Sequence, residues 1–278
     1  MKISQWVVTI SNNQQVIKFV RFFKLNKLVK FVYFNAFTLI NKKRSLYFKD
    51  TEIKIQINSF ETLRLTQVPF ENEAAYEEKV LSCIRNYLHL GDVAYDVGAN
   101  IGIVSIFISK FVGVDGKVIA FEPDCKNYKE FLNNLRINGC KNVVPMRIAL
   151  GEEQSTGNLY FNKSMGRASI SLVKTEKACF FQKSDIIPGD IIVDTNKFPL
   201  PKVVKIDVEG YEYPVIKGLK NTLSQKECRL LCCEIHPYSI YPSGITTEII
   251  LDFIKSLGFN DIKTYNRGGE IHAICCKI

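Results

Sequence analysis

Four short stretches of the chain hold residue types that bind and activate ligands. "DVGANIG" sets Asp96 ahead of a turn containing Gly98, Asn100 and Gly102. "AFEPD" ends on Glu122, Pro123 and Asp124, "KIDVEG" carries Asp207 and Glu209, and "CCEIHP" carries Glu234 and His236. Glycines in a tight turn leave room for a ligand to approach the backbone, and the N–H groups of a following helix attract it. Alone such a turn is weak evidence, because any strand-to-helix connection uses similar residues. Glu122 sharpens it: it falls twenty residues past Gly102, where the second strand of a mononucleotide-binding unit delivers a carboxylate to the two hydroxyls of a ribose.

Spacing and charge narrow the ligand. The dinucleotide fingerprint GxGxxG requires glycine where this chain has Asn100 and Ile103, which disfavours a pyridine nucleotide. Asp96 would repel a phosphate in a low-dielectric cleft and suits an ammonium group. A ribose and an ammonium without a pyrophosphate describe S-adenosylmethionine. Transfer of its methyl group would require alignment of the acceptor and, when the acceptor is an alcohol, removal of a proton. Asp207 is placed to line the methyl site, or else to cap the helix after Gly210. His236, at a strand end before Pro237, is a candidate general base, or else a hydrogen-bonded wall residue. Glu209 either orients His236 or caps that helix. Asp207, Glu209, Glu234 and His236 together contain the donors of a divalent-metal site, but they are scattered and include one histidine, so no metal is expected. Lys205 reads as an edge or outward-facing cation. "SMGRASIS" (164–171) offers Arg167 and Ser169, either as acceptor contacts or as loop formers.

These residues need a frame that brings strand ends together. "VAYDVGA" reads as a strand, 101–112 as a helix, "KVIAFEP" as a strand and 124–138 as a helix. "NVVPMRIAL" reads as a third strand, which Pro145 assigns to an edge or a bulge. After an irregular, hairpin-like insertion at 151–200 come a strand at 202–209, a helix at 211–226, a strand at 229–236 and a helix at 246–257. "FNDIKTYN" and "EIHAICCKI" form an antiparallel pair joined through Arg267-Gly268-Gly269. Such alternation predicts an α/β fold with a doubly wound, mostly parallel sheet. Upstream, "IKIQIN" (53–58) and "TLRLT" (62–66) alternate as a hairpin, and 71–91 has helical spacing ended by Gly91.

In this order and at these spacings, "DVGANIG", "AFEPD", "IALG", "VVKIDVEGYE" followed by "VIKGL", and "CCEIHP" resemble the FkbM-type family of class I S-adenosylmethionine-dependent methyltransferases, over about residues 75 to 260. The resemblance implies a seven-stranded, Rossmann-like sheet and methyl transfer to oxygen, often on a sugar, polyketide or other secondary-metabolite hydroxyl. It implies that Asp96, Gly98, Asn100 and Gly102 surround the methionine portion and that Glu122 holds the ribose. Pro123 and Asp124 would then flank the adenosine, with Ala149 bordering adenine through its backbone. Many related enzymes have an acid near that adenine position, and this chain has none there. The competing readings are a binding module for the same ligand without turnover and, disfavoured above, an oxidoreductase.

Bulk properties agree with an enzyme body carrying an appendage. The 278 residues are 46% hydrophobic and 12% aromatic, enough for a substantial core. Nine cysteines without a CxxC pair, and no secretory signal, read as reduced thiols of a cytoplasmic protein. The net charge of +9 resides in residues 1–50, where ten Lys/Arg face Asp50 alone, while the remainder is neutral. A nucleic-acid partner is therefore not expected of the body. The boundary predicted from this contrast separates a basic, aromatic-rich arm (1–50) from a catalytic domain (51–278). The arm lacks the run of ~18 apolar residues a bilayer span needs. Its cations at 18, 21, 24, 27 and 30 wind around a helix without forming one polar stripe. The arm either lies on an anionic membrane or lipid-linked acceptor, or packs as a cap; a cleaved targeting peptide is disfavoured.

Overall fold

The computed structural model describes residues 43–59, 62, 66, 75–162, 170–174, 178–240 and 244–278. Most of the basic arm, and Arg167 and Ser169 of "SMGRASIS", lie outside the described residues. No helix among the described residues is long and apolar enough to cross a membrane.

The chain opens with a hairpin, β1 (Lys43–Phe48) and β2 (Thr51–Gln56), followed by helix α1 (Ala75–Tyr87). Then β3 (Val93–Val97), α2 (Ile103–Val112), β4 (Lys117–Phe121), α3 (Cys125–Asn138) and β5 (Val143–Met146) alternate as expected. A second sheet follows, from β6 (Ala149–Gly151), β7 (Ser155–Asn162), β8 (Ile170–Ser171) and β9 (Ala178–Pro188), and leads into α4 (Gly189–Asn196). The alternation resumes with β10 (Val203–Ile206), α5 (Glu212–Gly218), α6 (Lys220–Ser224), β11 (Leu230–Ile235), α7 (Pro237–Ile240) and α8 (Thr247–Ser256). It closes on β12 (Asp261–Arg267) and β13 (Glu270–Cys276).

The main sheet has seven strands in the order β12-β13-β11-β10-β3-β4-β5, with β13 antiparallel to both neighbours and the other pairings parallel. Strands buried on both faces are nearly continuous apolar runs, as "VAYDV", "KVIAF" and "LLCCEI" are. One face carries Ala94, Val203 and Leu230 against Ile106, Phe107 and Phe131. The other carries Tyr95, Val204 and Leu231 against Val215, Leu219 and Ile250. Each such aliphatic or aromatic side chain contributes about 1.5–3 kcal/mol on burial, so the two faces fix the strand ends relative to one another.

Three expectations change. The stretch 142–150 is two strands in two sheets: β5 ends at Met146, and β6 pairs in parallel with β9. Pro145 lies in β5, the sheet edge, where no neighbour asks for its missing N–H. The partner of 51–56 lies upstream at 43–48, whereas residues 62 and 66 are helical, with the Thr66 hydroxyl donating to the Thr62 carbonyl at 3.0 Å. Five alternating residues cannot distinguish a strand from one helical turn. A boundary at residue 50 would also cut this hairpin in two. The hairpin is anchored on α3, where Asn138 accepts from the Lys54 N–H at 2.8 Å and Asn134 from the Gln56 N–H at 3.0 Å. These side chains satisfy backbone donors on the strand edge that faces away from β1.

Candidate active site

Strand order reverses at β3, which has β4 on one side and β10 on the other, and a crevice opens at the carboxyl ends of these strands. A cleft of about 610 Å³, counting its open mouth, occupies that crevice. Gly98, Asn100, Glu122, Pro123, Ala149 and Asp207 line it. Leu159 of β7 and Leu172, just past β8, add an apolar wall that sequence reasoning missed, because the insertion's strands show no chemistry of their own. Gln182 of β9 ties that second sheet to the site, donating to the Pro123 carbonyl at 3.4 Å.

Glu122 is held from two sides, with one carboxylate oxygen accepting from the Asn100 N–H and the other from the Asp124 N–H, each at 2.8 Å. Burial pushes its pKa up to about 8 against the lowering effect of those two donors. Asp124 also caps α3 through the N–H groups of Lys126 and Asn127.

Asp96 and Gly102, expected beside the ligand, are not among the residues that line this cleft. Asp96 is fully buried beneath it, accepting from the Ser105 hydroxyl at 2.5 Å and lying 3.8 Å from the Lys205 ammonium. The ammonium it faces belongs to the chain itself. Burial raises its pKa, opposed first by Lys205. Gly102 starts α2 at φ 88°, and a Cβ there would lie 2.1 Å from the Phe131 ring. At Gly98, φ 84°, a Cβ would lie 1.8 Å from the Asp207 carbonyl oxygen. Both glycines are required by close packing between elements and by left-handed backbone, more than by ligand approach.

Lys205 is neither at an edge nor outward-facing. It sits in β10, between β3 and β11, with its side chain 12% exposed, and donates to Asp207 at 3.1 Å. Burial would lower its pKa, but Asp207, Asp96 and Glu234 reverse the sign and raise it. Desolvation likewise works to raise Asp207, and Lys205 and then His236 overcome it, keeping this carboxylate below its ordinary value.

His236 is positioned differently from a general base. Its Nδ1–H donates to buried Glu212 at 2.8 Å, and its Nε2 lies 3.5 Å from Glu209 and 3.7 Å from Glu234. Desolvation alone would lower its pKa, yet Glu212, then Glu209 and Asp207, carry it up to about 10. An imidazolium at neutral pH has no lone pair with which to take a proton, so the base role is corrected to that of a buried cation. Glu209 does face His236, as one of its expected roles requires. Glu212, missed from the sequence, also accepts from the Gly210 N–H at 2.8 Å; its position two residues past the glycine was the available signal.

Asp207, Glu209 and His236 bring one donor atom each within 4.8 Å of one another, as do Glu234, Glu270 and His272. In the first group the carboxylates already face the Lys205 ammonium and the His236 imidazolium, which describes an internally neutralised network better than a cation seat. In the second, burial and then Asp207 raise Glu234 to about 9, so it keeps its proton at neutral pH.

A doubly wound sheet with an acid-lined cleft at its switch point defines an α/β protein of the doubly wound class with its ligand crevice at the carboxyl ends of the strands. Residues 96–260 match the Methyltransferase FkbM domain, more than half of the chain, and the chain belongs to that family. It is 32% identical over 172 residues to the hexuronic acid methyltransferase AglP of Haloferax volcanii, a stretch covering 61% of this chain and 66% of that protein. The chain thus spans just under two thirds of this relative. Among solved structures, it is similar to an FkbM methyltransferase from Methylobacillus flagellatus, with 18% identity and a TM-score of 0.45 over 66% of this chain and 43% of that one. It is also similar to a SAM-dependent methyltransferase from Aquifex aeolicus, with 15% identity and a TM-score of 0.41 over 77% and 95% of the two chains.

Proposed function

We propose that this chain is an S-adenosylmethionine-dependent O-methyltransferase whose acceptor is a sugar hydroxyl. The observation that carries the cofactor is the lining of the first cleft: Glu122, Asp207 and Glu209 line it, and no Lys, Arg or His does so among the described residues. Such a lining offers phosphates no cation to pair with and suits a ligand that carries none. Glu122 fits a ribose diol, since each of its oxygens keeps acceptor capacity beyond its one N–H bond. Phe121, Ile148 and Leu172 supply apolar walls for a base. The bound cofactor supplies an electrophilic methyl group on sulfur. The chain's part is to hold the donor with Glu122, present Asp207 beside the transfer point and keep water out with the β7–β8 wall. The sugar class rests on the hexuronic acid methyltransferase relative.

Calorimetry with S-adenosylmethionine, S-adenosylhomocysteine and NAD tests the assignment. Saturable binding of the first two is expected, and binding of NAD alone would overturn it. The basic arm supports a further part of the proposal, peripheral contact with an anionic membrane surface, because residues 1–42 contain seven Lys/Arg and no acid.

A further inference from the structure

We infer that a second cleft, meeting the first at Asp207, receives the acceptor and is built for an uncharged sugar ring in preference to a uronate; this rests on the methyltransferase reading above. The cleft measures about 580 Å³ with its mouth. Cross-strand register explains its composition. Asp96 of β3, Lys205 of β10 and Cys232 of β11 lie in one row, while Glu234 of β11 and His272 of β13 pair one step nearer the strand ends. Alternate residues share a face, so Lys205, Asp207, Glu234 and His272 all line the same opening. Across from them stand Val80 and Leu81 of α1 and Val104 of α2. One wall is polar and the other apolar, which is the division a sugar presents between its hydroxyl edge and its C–H face.

The polar wall mixes donors and acceptors. Lys205 donates and Asp207 accepts. Glu234, kept protonated at neutral pH, donates. His272, almost fully buried and lowered to about 4 chiefly by burial, is neutral and keeps an acceptor nitrogen. Its Nδ1 lies 3.4 Å from Glu234. The net charge of this wall is close to zero. Among the described residues Lys205 is the lysine or arginine that lines it, and it already faces Asp207 and Asp96; His236, close by, faces Glu212. A uronate carboxylate would enter a half-buried site whose one lining lysine or arginine among the described residues, Lys205, is already paired, which is strongly unfavourable. A neutral glycoside makes the same hydroxyl contacts without that cost.

The test uses the full chain with ¹³C-labelled Ile, Leu and Val methyl groups, saturated with S-adenosylhomocysteine and titrated with methyl β-glucopyranoside and methyl β-glucuronopyranoside to about 100 mM. Shifts are expected at the Leu81, Ile103 and Val104 methyls, with the neutral glycoside binding at least about tenfold tighter. V80F and V104F, at half-buried positions, should each erase the shifts while leaving S-adenosylhomocysteine affinity within about twofold. No shift with either sugar, shifts centred on Leu159 and Leu172, or tighter binding of the glucuronide would overturn the inference. Failure of S-adenosylhomocysteine to bind would instead overturn the cofactor reading beneath it.

Discussion

Glu122 is pulled in two directions that can be measured separately. Its raised pKa means that the folded state holds a proton the unfolded state releases. Its stability contribution is therefore fully present below about 4.5 and is lost as pH rises through about 8. Ribose hydroxyls donate to the carboxylate form, so cofactor affinity should move the opposite way and rise between pH 6.5 and 8.5. Calorimetry in buffers of different ionisation enthalpy should show proton release on binding over that window. Glu122→Ala should weaken S-adenosylhomocysteine binding by about 2–3 kcal/mol, on the order of 30–150-fold, and Glu122→Gln by less. His236 behaves as the complement. Its stability contribution is complete below about 6.5 and lost as pH climbs through about 10. His236→Ala strands the carboxylate of fully buried Glu212 and should cost about 3–5 kcal/mol of stability in denaturant titration. A base would show the reverse pattern, with intact stability and slow transfer.

At the scale of elements, the site depends on how closely β3 approaches β10. Gly98 permits that approach because its missing Cβ would overlap the Asp207 carbonyl. Gly98→Ala must both strain a backbone at φ 84° and push the two strand ends apart, so it should cost at least about 2 kcal/mol and weaken cofactor binding together with stability. A Gly98→Ala protein with unchanged thermal midpoint and affinity would refute this account of the turn. The same dependence on contacts between elements explains what was legible in the sequence. The strands and helices of the main sheet follow from period and punctuation within each segment; Glu122 and Asp207 were found because they end strands, and Asn100 because it sits in a glycine turn. Lys205 was misread because nothing local shows that β3 and β11 flank it and supply Asp96 and Glu234. The second sheet was read only as an irregular insertion because its pairing of β6 with β9 spans residues far apart in the chain. His236 was correctly placed but given the wrong protonation, since Glu212 reaches it only once α5 packs beside β11.

Over the whole molecule, charge is distributed to separate two tasks. Within the body, cations are matched by carboxylates around both clefts, whereas residues 1–42 hold seven cations and no acid. An anionic bilayer attracts each such cation by about 1 kcal/mol near its surface, and the attraction fades with ionic strength. Aromatic and aliphatic residues between the cations add an apolar contribution that salt does not screen. Contact with a membrane therefore predicts a two-part response. The full chain should co-sediment with phosphatidylglycerol vesicles at about 50 mM salt, and a large share should be released at about 500 mM. Replacing Lys24, Lys27 and Lys30 by Gln should lower the low-salt affinity by about 3 kcal/mol, on the order of 100-fold, without altering the thermal midpoint. If the arm serves as a cap on the body, the same substitutions should leave vesicle binding undetectable before and after, while replacing Phe22 and Phe23 by Ser should lower the midpoint. The two experiments have opposite outcomes under the two arrangements, so the measured pair assigns the arm to one of them.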